Sequence, residues 1–338
     1  MDDLSGRLLD TLRTTTGVPT LDYAAPPQPL TGGFWAELVS FRLRDAPAEL
    51  DGDLVARVMP DPALACKETI VQRSVADQGF PTPAVRLSGG ADSALGHAFM
   101  VMDRVHGAPL LAGLDSLTSL LRIPRLAFRI SNTLGTVAAR LHRLDPEPVR
   151  ARLGSETPRT VPELLAMLTD RADTLGRADL ARTAQWLTAN PPPPAPTVIC
   201  HGDLHPFNVL IDERGVVNVL DWSAALLAPP AYDVGFTTLM LSQPPVVVPR
   251  LAKPVVETAG RWLARAFVRH YERAGGVHVD ASAVRWHQGV IALRALVEVA
   301  NWAAADELRS RTGHPWLVIG PALATRLSAL TGDPVAAA

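Results

Sequence analysis

The stretch of sequence that decides the fold is His201-Gly202-Asp203-Leu204-His205-Pro206-Phe207-Asn208. An apolar run at residues 197–200 leads into it and a second at residues 209–211 leads out, so a strand is predicted on each side. Residues 212–215 predict a turn, because Gly215 can adopt a positive φ. The next strand delivers Asp221 at its end. The pattern therefore predicts a polar loop and a hairpin that returns a second carboxylate towards it.

The spacing of the polar residues in this loop suits phosphoryl transfer. That chemistry needs a carboxylate to orient the attacking hydroxyl and accept its proton, and oxygen ligands to hold Mg²⁺. Asp203 can be the base, and Asn208 and Asp221 can supply the metal ligands. The order His-x-Asp-Leu-x-x-x-Asn also matches the catalytic-loop pattern of kinases. The sequence therefore predicts a catalytic loop centred on Asp203.

Residues 201–208, together with Leu220-Asp221-Trp222, resemble the aminoglycoside phosphotransferase and choline kinase superfamily. Members of that superfamily are similar to protein kinases. The resemblance implies a bilobal α+β fold, with a small antiparallel β lobe of five strands and one main helix, and a large, mainly helical lobe. We place the nucleotide-binding lobe at residues 1–104. The lobe that carries the catalytic loop and the acceptor site follows at residues 105–338.

The same resemblance implies an activity and its cofactors. The donor would be ATP or GTP, with Mg²⁺ bound to it. The γ-phosphoryl group would pass to a hydroxyl group of a small molecule, such as an aminoglycoside-like antibiotic or a metabolite. We therefore expect a small-molecule kinase.

Four residues of the predicted small lobe would form the nucleotide-phosphate site. Gly32 and Gly33 lie between two strand-like runs, where backbone amides can approach phosphate closely, although a plain hairpin turn has the same pattern. Arg57 occupies the strand position at which kinases carry a phosphate-binding lysine, and Glu68 on the next helix would pair with it. An ordinary surface arginine and a solvated helix face are the alternatives for these two.

Residues 98–105 predict the last strand of the small lobe, followed by a hinge near residue 104. By the resemblance, backbone groups around Met102 and Arg104 would bind the adenine ring. Met102 could also pack on the ring, although packing in the core is its alternative role. This segment is the predicted adenine site.

Three further residues are expected to shape the catalytic loop. Relatives carry a Tyr-Asp or similar Asp at the position of Asp233, where it braces the loop by hydrogen bonds. We assign this supporting role to Asp233, with substrate contact as the lesser alternative. His201 opens the loop, and His205 either contacts phosphate or packs against the loop.

The acceptor is expected to bind against a long helix predicted at residues 282–307. Its polar and aromatic residues are the candidates: Trp286, Arg294, Glu298, Trp302, Asp306 and Glu307. A cationic aminoglycoside would favour acidic groups, of which this helix has few. Choline would favour an aromatic cage, yet only 5% of the chain is aromatic. Core packing is the alternative for every candidate, so the sequence leaves the acceptor open.

Composition and charge narrow the possible functions. With 338 residues, 47% hydrophobic and 20% charged, the chain can form two lobes with sizeable cores. A net charge of −2 offers no electrostatic basis for binding nucleic acid or an anionic membrane. The longest apolar stretch contains charges, and the N-terminus lacks a signal-peptide pattern. Because Cys66 and Cys200 are too few for a disulfide scaffold, we expect a cytoplasmic location.

One alternative is a catalytically degenerate kinase fold. Trp35 and Ala36 stand where relatives often carry Ser-Asn, and Arg57 replaces the usual lysine. Such a protein would bind nucleotide, or serve as an interaction module, without transferring phosphate. The complete set of catalytic-loop residues argues against it.

Another alternative is a metallohydrolase. His201, Asp203 and His205 alternate as zinc ligands can alternate along a strand. Against this, Pro206 ends a strand rather than continuing it, and the other histidines are scattered singly. A metallohydrolase would contain tightly bound zinc and would not depend on nucleotide.

Overall fold

The structure, a computed structural model, describes residues 2–30, 36–111, 123–245, 253–275 and 277–337. The chain forms two compact units. The N-terminal unit comprises Met1–Pro109, Ala151–Thr157 and Val209–Ala224, and the C-terminal unit comprises Leu110–Arg150, Pro158–Asn208 and Ala225–Ala338. The first contains antiparallel sheets and the second is mainly helical, which confirms the predicted α+β class. The lobe boundary at residue 104 stays a prediction, since each unit draws on several segments.

The N-terminal unit is built on a six-stranded antiparallel sheet that follows helix α1, Asp2–Thr16. Its strands are β1 (Asp22–Tyr23), β2 (Gln28–Pro29), β3 (Glu37–Arg44), β4 (Asp53–Met59), β5 (Val85–Gly89) and β6 (Ala98–Asp103). They run in the order β1-β3-β4-β6-β5, with β2 paired to β3. The sheet has six strands rather than the predicted five, because strands of two residues carry no alternating pattern.

Helix α2, Pro62–Asp77, turns one acidic side chain towards this sheet. The carboxylate of Asp61 accepts hydrogen bonds from the first backbone N–H groups of the helix, and proline fits the first turn. The hydroxyl of Thr69 lies against the sulfur of Met100 on β6. With the helix held there, Glu68 is only 1% exposed.

Five short strands surround the predicted catalytic loop along the chain: β7 (Ala108–Pro109), β8 (Val198–Cys200), β9 (Val209–Ile211), β10 (Val217–Val219) and β11 (Leu226–Ala228). Strands β7, β9 and β10 form one antiparallel sheet in the N-terminal unit, and β8 pairs with β11 in the C-terminal unit. The turn of the β9–β10 hairpin is closed by a 3.0 Å bond from the N–H of Gly215, whose φ is +83°, to the carbonyl of Asp212. The predicted hairpin is confirmed.

The remaining helices along the chain are α3 (Ile123–Leu141), α4 (Glu147–Arg152), α5 (Val161–Thr174), α6 (Ala178–Ala189), α7 (Ala231–Ser242), α8 (Lys253–Gly275), α9 (Ala281–Ala304) and α10 (Pro315–Thr331). Helices α7 and α9 are buried on almost every side, as their continuous apolar sequences require. Gly260 lets α8 approach α7, since an added Cβ would lie 2.5 Å from the carbonyl oxygen of Leu241. Within the described residues, every helix is too short or too polar to span a lipid bilayer.

His287 on α9 is a buried imidazole in the core of the C-terminal unit. Its ring packs edge-on against Tyr232 and Trp286. Neither ring nitrogen hydrogen-bonds to another described residue. Burial lowers the pKa of His287 from 6.5 to about 4. The folded protein therefore keeps this ring neutral where the unfolded chain would already be protonated.

Acid should destabilise the protein through this residue. As the pH falls from about 6.5 to about 4, the unfolded state binds a proton that the folded state excludes, so the free energy of unfolding should drop by up to about 3 kcal/mol. The variant His287→Leu should show a flatter decline in urea unfolding measured across that range. Exposed His278 provides the control, and His278→Leu should keep the wild-type profile. Equal acid sensitivity in His287→Leu and wild type would contradict this prediction.

Candidate active site

The loop at residues 201–208 is anchored to helix α7 beneath it. The carboxylate of Asp233 accepts hydrogen bonds from the backbone N–H groups of His201, at 2.8 Å, and Gly202, at 2.7 Å. Gly202 has φ +74°, which glycine adopts without strain. One helical turn further along α7, the hydroxyl of Thr237 donates a 2.8 Å bond to the carbonyl of Leu204. Residues 201–204 are therefore held in place by a single helix.

Asp233 is fully buried, and its partner is His142, the residue that follows helix α3. Nε2 of His142 lies 3.1 Å from the Asp233 carboxylate, and Nδ1 lies 2.9 Å from the hydroxyl of Tyr271 on α8. Because a carboxylate can only accept, Nε2 is the donor to Asp233. Burial pushes the pKa of Asp233 up, but the bond from His142, the charges of His142 and His201, and the Gly202 N–H outweigh it and hold the pKa below its usual value. The carboxylate is ionised when it braces the loop.

Asp203 and Asn208 face each other across the loop. The Nδ2 group of Asn208 donates to the carbonyl of Asp203 at 2.9 Å and to its Oδ2 at 3.0 Å. The backbone N–H of Asp203 donates to Nδ1 of His201, which lies wholly inside the protein. The Asp203 side chain keeps 26% exposure. It is an oriented carboxylate that solvent and small molecules can reach.

His205 packs against the loop and the helix below it. Its ring stacks on Phe236 of α7, with centroids 6.4 Å apart and planes at 29°. Nε2 of His205 lies 3.5 Å from Oδ2 of Asp203. These contacts suit the loop-packing role, and contact with phosphate stays a prediction.

Asp221 follows strand β10 in a left-handed backbone conformation, with φ +64°. Its Oδ1 accepts a 2.7 Å bond from the hydroxyl of Ser223. The neighbouring Trp222 fixes this segment, since its ring meets Phe80 edge-on and its indole N–H donates to the hydroxyl of Thr82 at 3.0 Å. Because a non-glycine residue is strained at positive φ, these contacts must hold Asp221 there.

Arg57 lies between two carboxylates of the N-terminal unit. Its Nε is 3.3 Å from Oε1 of Glu68, and its Nη2 is 3.4 Å from Oδ1 of Asp221. Burial raises the pKa of Glu68 to about 7, against the opposing charge of Arg57 and with a further upward contribution from Asp221. Negative neighbours likewise outweigh the burial of Arg57 and raise its pKa. Arg57 is thus a buried cation whose charge is balanced by neighbouring carboxylates, and not a surface arginine.

Two groups of predicted donor-binding residues have different outcomes. Gly32 and Gly33 lie outside the described residues. Met102 is on strand β6, where its sulfur receives a 3.4 Å contact from the side-chain amide of Gln72. The backbone N–H of Arg104 donates to the carbonyl of Asp53 at 2.8 Å, so this N–H is already used inside the sheet.

The acceptor candidates on α9 have different surroundings. Trp286 is buried, and its indole N–H donates to the carbonyl of Leu187 at 3.2 Å, so the packing assigns this residue to the core. Trp302 is also buried, with its ring edge-on to His314 at 4.6 Å. Glu298 is half-buried, one helical turn after Arg294, and Asp306 is exposed beyond the C-terminal end of the helix. Arg294, Glu298 and Glu307 are the candidates that combine charge with partial burial, and Glu307 pairs with Arg311 at 3.2 Å.

Several residues that interact with the acceptor candidates were absent from the predicted site. Tyr232 is on α7, Arg311 follows α9, and His314 and Trp316 are at the start of α10. The charge of Asp203 acts on His314 and on both Arg294 and Glu298, which places α9 and the start of α10 close to it. The sequence signal that could have indicated this face is Arg294, a charged residue within an otherwise apolar helix.

The three residues of the metallohydrolase alternative do not form a cluster of zinc ligands in the described part of the chain. Among the described residues, the three side chains that bring potential ligand atoms within 4.8 Å of one another are His142, Cys200 and Asp233, not His201, Asp203 and His205. The first set is buried, and its His and Asp already bond to each other and to the groups described above. It is the internal brace of the catalytic loop.

The mixed α+β architecture and the carboxylate–amide loop define a small-molecule phosphotransferase with a kinase-like fold. The sequence model of the phosphotransferase enzyme family matches residues 40–253, well over half of the chain. The chain therefore belongs to the phosphotransferase enzyme family, which confirms the resemblance that the loop carries and the expectation of a small-molecule kinase. Comparison with curated protein sequences finds none that matches this chain.

Solved structures share the fold. A thermostable mutant of aminoglycoside phosphotransferase APH(4)-Ia, in a ternary complex with AMP-PNP and hygromycin B, superposes with a TM-score of 0.61 at 19% identity, covering 96% of this chain and 99% of the other. Macrolide 2'-phosphotransferase MphH from Brachybacterium faecium gives 0.55 at 18% identity, covering 93% and 99%. A choline/ethanolamine kinase family protein from Mesorhizobium loti gives 0.57 at 18%, covering 98% and 100%. These likenesses confirm the predicted kinase-like fold.

Proposed function

We propose that this protein transfers the γ-phosphoryl group of ATP or GTP to a hydroxyl group of a small molecule, with Mg²⁺ as cofactor. The observation that carries the proposal is the setting of Asp203: a partly exposed carboxylate, held by Asn208, on a loop that Asp233 braces. A carboxylate oriented in this way can position a hydroxyl and accept its proton. A cytoplasmic location, where these nucleotides are available, is part of the proposal.

The proposed step conserves atoms and charge. The hydroxyl oxygen of the acceptor attacks the γ-phosphorus, and the bond from that phosphorus to the β–γ bridging oxygen breaks. The nucleoside diphosphate leaves with the bonding electrons. The hydroxyl proton passes to a carboxylate oxygen of Asp203 and from there to solvent.

The donor atoms fit Mg²⁺. Because Asn208 uses its Nδ2 group on Asp203, its Oδ1 is the atom that would face the ion, and Asp221 would add a carboxylate whose orientation Ser223 sets. Carboxylate and amide oxygens are ligands that Mg²⁺ prefers, whereas a zinc site would call on imidazole or thiolate. When bound, the ion would neutralise charge on the phosphates.

The donor is proposed to bind through residues of the N-terminal unit. Arg57, held by Glu68, would contact the phosphates with its planar guanidinium. Gly32 and Gly33 would cover the phosphates with backbone amides. Adenine would bind the backbone near Met102 and Arg104, through groups other than the Arg104 N–H that Asp53 already receives.

Complexes of similar proteins support a nucleotide as the phosphoryl donor. Their acceptors differ from one another, so they do not identify the acceptor of this protein. The APH(4)-Ia mutant binds AMP-PNP with hygromycin B, and a spectinomycin phosphotransferase, APH(9)-Ia, is in complex with ADP and spectinomycin at a TM-score of 0.54. On this basis we propose a nucleoside triphosphate as donor. The acceptor is proposed to be a hydroxylated antibiotic or metabolite.

The proposal is tested by incubating the protein with Mg-ATP or Mg-GTP and a mixed panel of hydroxylated metabolites and antibiotics. Mass spectrometry should detect a panel member that has gained one phosphate, only when Mg²⁺ and nucleotide are both present. Nucleotide binding, followed separately by calorimetry, should require Mg²⁺. Binding without any transfer would favour the catalytically degenerate alternative, and the absence of nucleotide binding would contradict the proposal.

A further inference from the structure

The catalytic loop ends in a tight turn that carries an exposed aromatic ring. Residues 205–208 form this turn, which is closed by a 3.0 Å bond from the backbone N–H of Asn208 to the carbonyl of His205. Pro206 suits the second position, because turns of this kind accept the fixed φ of proline there. Phe207 follows, and its 60% exposure is the largest of any Phe, Tyr or Trp that the structure describes. A large apolar ring thus faces solvent between the proposed base and a proposed metal ligand.

The backbone that carries this ring is fixed by two further hydrogen bonds. The N–H of Phe207 donates to Nδ1 of His205 at 3.2 Å, and the carbonyl of Pro206 accepts a 3.0 Å bond from the N–H of Leu110. The ring of His205 is itself stacked on Phe236 of helix α7. The phenylalanine is therefore mounted on a rigid turn, so a ligand that packs on it has little backbone left to order.

His205 connects the ring of Phe207 to the proposed base. Because a backbone N–H can only donate, Nδ1 of His205 accepts the bond from Phe207, and a neutral imidazole then carries its hydrogen on Nε2. Nε2 lies 3.5 Å from Oδ2 of Asp203, and the two rings meet edge-on with centroids 6.0 Å apart. A single imidazole ring therefore separates the carboxylate from the exposed phenylalanine, and all three residues belong to the C-terminal unit.

One oxygen of Asp203 is left for the hydroxyl of an acceptor. Oδ2 accepts the bond from Asn208 and has His205 beside it. Among the residues that the structure describes, none donates a hydrogen bond to Oδ1. The Asp203 side chain is 26% exposed, so a hydroxyl can reach it from solvent. An acceptor bound in this way occupies the solvent beside the catalytic loop, where the ring of Phe207 is its neighbour.

We infer that Phe207 determines the acceptor specificity of the proposed phosphotransferase, by packing its ring against an apolar face that the acceptor carries beside its reacting hydroxyl. The inference deepens the proposed function and rests on it. Covering the ring removes apolar surface from water, and a phenylalanine loses little rotamer freedom when it is covered. An acceptor with ring or alkyl carbons next to its hydroxyl gains this contact. A simple polyol, whose carbons all carry hydroxyl groups, gains much less.

Steady-state kinetics test this assignment on the acceptor that the mixed panel identifies. Phe207→Ala should raise the acceptor KM about tenfold, because the ring contact stabilises the bound substrate and the transition state alike. The value of kcat and the KM for Mg-nucleotide should change by less than about twofold. Phe207→Leu keeps part of the apolar area and should give an intermediate acceptor KM.

The matched control is Phe128→Ala. Phe128 is 56% exposed and also lies edge-on to a histidine, His270, but it belongs to helix α3 and not to the catalytic loop. Its removal should leave all the kinetic constants unchanged. Because the ring of Phe207 is exposed, thermal unfolding of both variants at position 207 should match the wild type, so a change in KM would not reflect misfolding.

The outcomes separate the inference from the proposed function. An unchanged acceptor KM in Phe207→Ala, a rise confined to the nucleotide KM, or a loss of kcat alone would overturn the inference. A best acceptor without an apolar face, such as inositol in the panel, would overturn it as well. Absence of both nucleotide binding and phosphoryl transfer in the wild type would instead overturn the proposed function, and with it the inference that rests on it.

Discussion

Asp203→Asn should lower the rate of phosphoryl transfer by about 10²–10⁴-fold, the range that general-base catalysis contributes. The amide has nearly the same shape as the carboxylate, and its oxygen can still accept the bond from Asn208 that Oδ2 of Asp203 receives at 3.0 Å. It cannot take the proton of the acceptor hydroxyl. The change should therefore appear in kcat, while nucleotide affinity and thermal stability stay close to wild type.

The measurement is steady-state phosphorylation of whichever acceptor the panel identifies, with nucleotide binding and thermal unfolding recorded on the same samples. Asp173, an exposed aspartate on α5, provides a matched control, and Asp173→Asn should keep wild-type activity. If Asp203→Asn retained more than about a tenth of the wild-type kcat, Asp203 would not be the base.

Asp233→Asn should destabilise the protein more than Asp203→Asn does. The Asp233 carboxylate is 0% exposed and accepts bonds from two backbone N–H groups and from His142. An amide supplies one oxygen instead of two and turns an N–H₂ group towards a donor, so at least one buried donor loses its acceptor. Breaking a buried charged pair on one side costs about 3–5 kcal/mol. The catalytic loop should also lose its anchor, and activity should fall with stability.

Thermal unfolding followed by circular dichroism should show a Tm lower by about 4–7 °C, given the stability change and the length of the chain. Asp170→Asn is the control, because it removes a carboxylate at an exposed position of α5 that belongs to no buried hydrogen-bond network. It should shift Tm little. A variant Asp233→Asn with wild-type Tm would show that the buried network does not hold the loop.

Local patterns in the sequence determine much of this fold. The loop at residues 201–208, the β9–β10 hairpin and the long apolar helix α9 follow from short-range spacing of apolar, glycine and polar residues, whereas helix α7 was not predicted. The two-residue strands β1 and β2 could not be predicted in this way, because two residues cannot show a period. The left-handed backbone of Asp221 could not be predicted either, because aspartate usually adopts a negative φ.

The environment of most site residues could be read only from the structure. The sequence suggested that Glu68 would pair with Arg57, but not that Arg57 also reaches Asp221, 164 positions away along the chain. It indicated a supporting role for Asp233, but not the partner His142, 91 positions earlier. It placed Trp286 and Trp302 among the acceptor candidates with Arg294 and Glu298. It could not separate buried core residues from partly exposed ones, because a helix buried on all sides has no distinctive polar face.

By itself, the sequence determined the family, and it predicted the chemistry from a carboxylate and an amide at catalytic-loop spacing and a second carboxylate after a hairpin. Only the tertiary structure decided which charges act on Asp203, since helix packing that no local pattern encodes brings Arg294 and Glu298 within reach of its charge. Short-range spacing sets the conformation of one segment. Which segments then meet depends on side-chain packing across the whole unit.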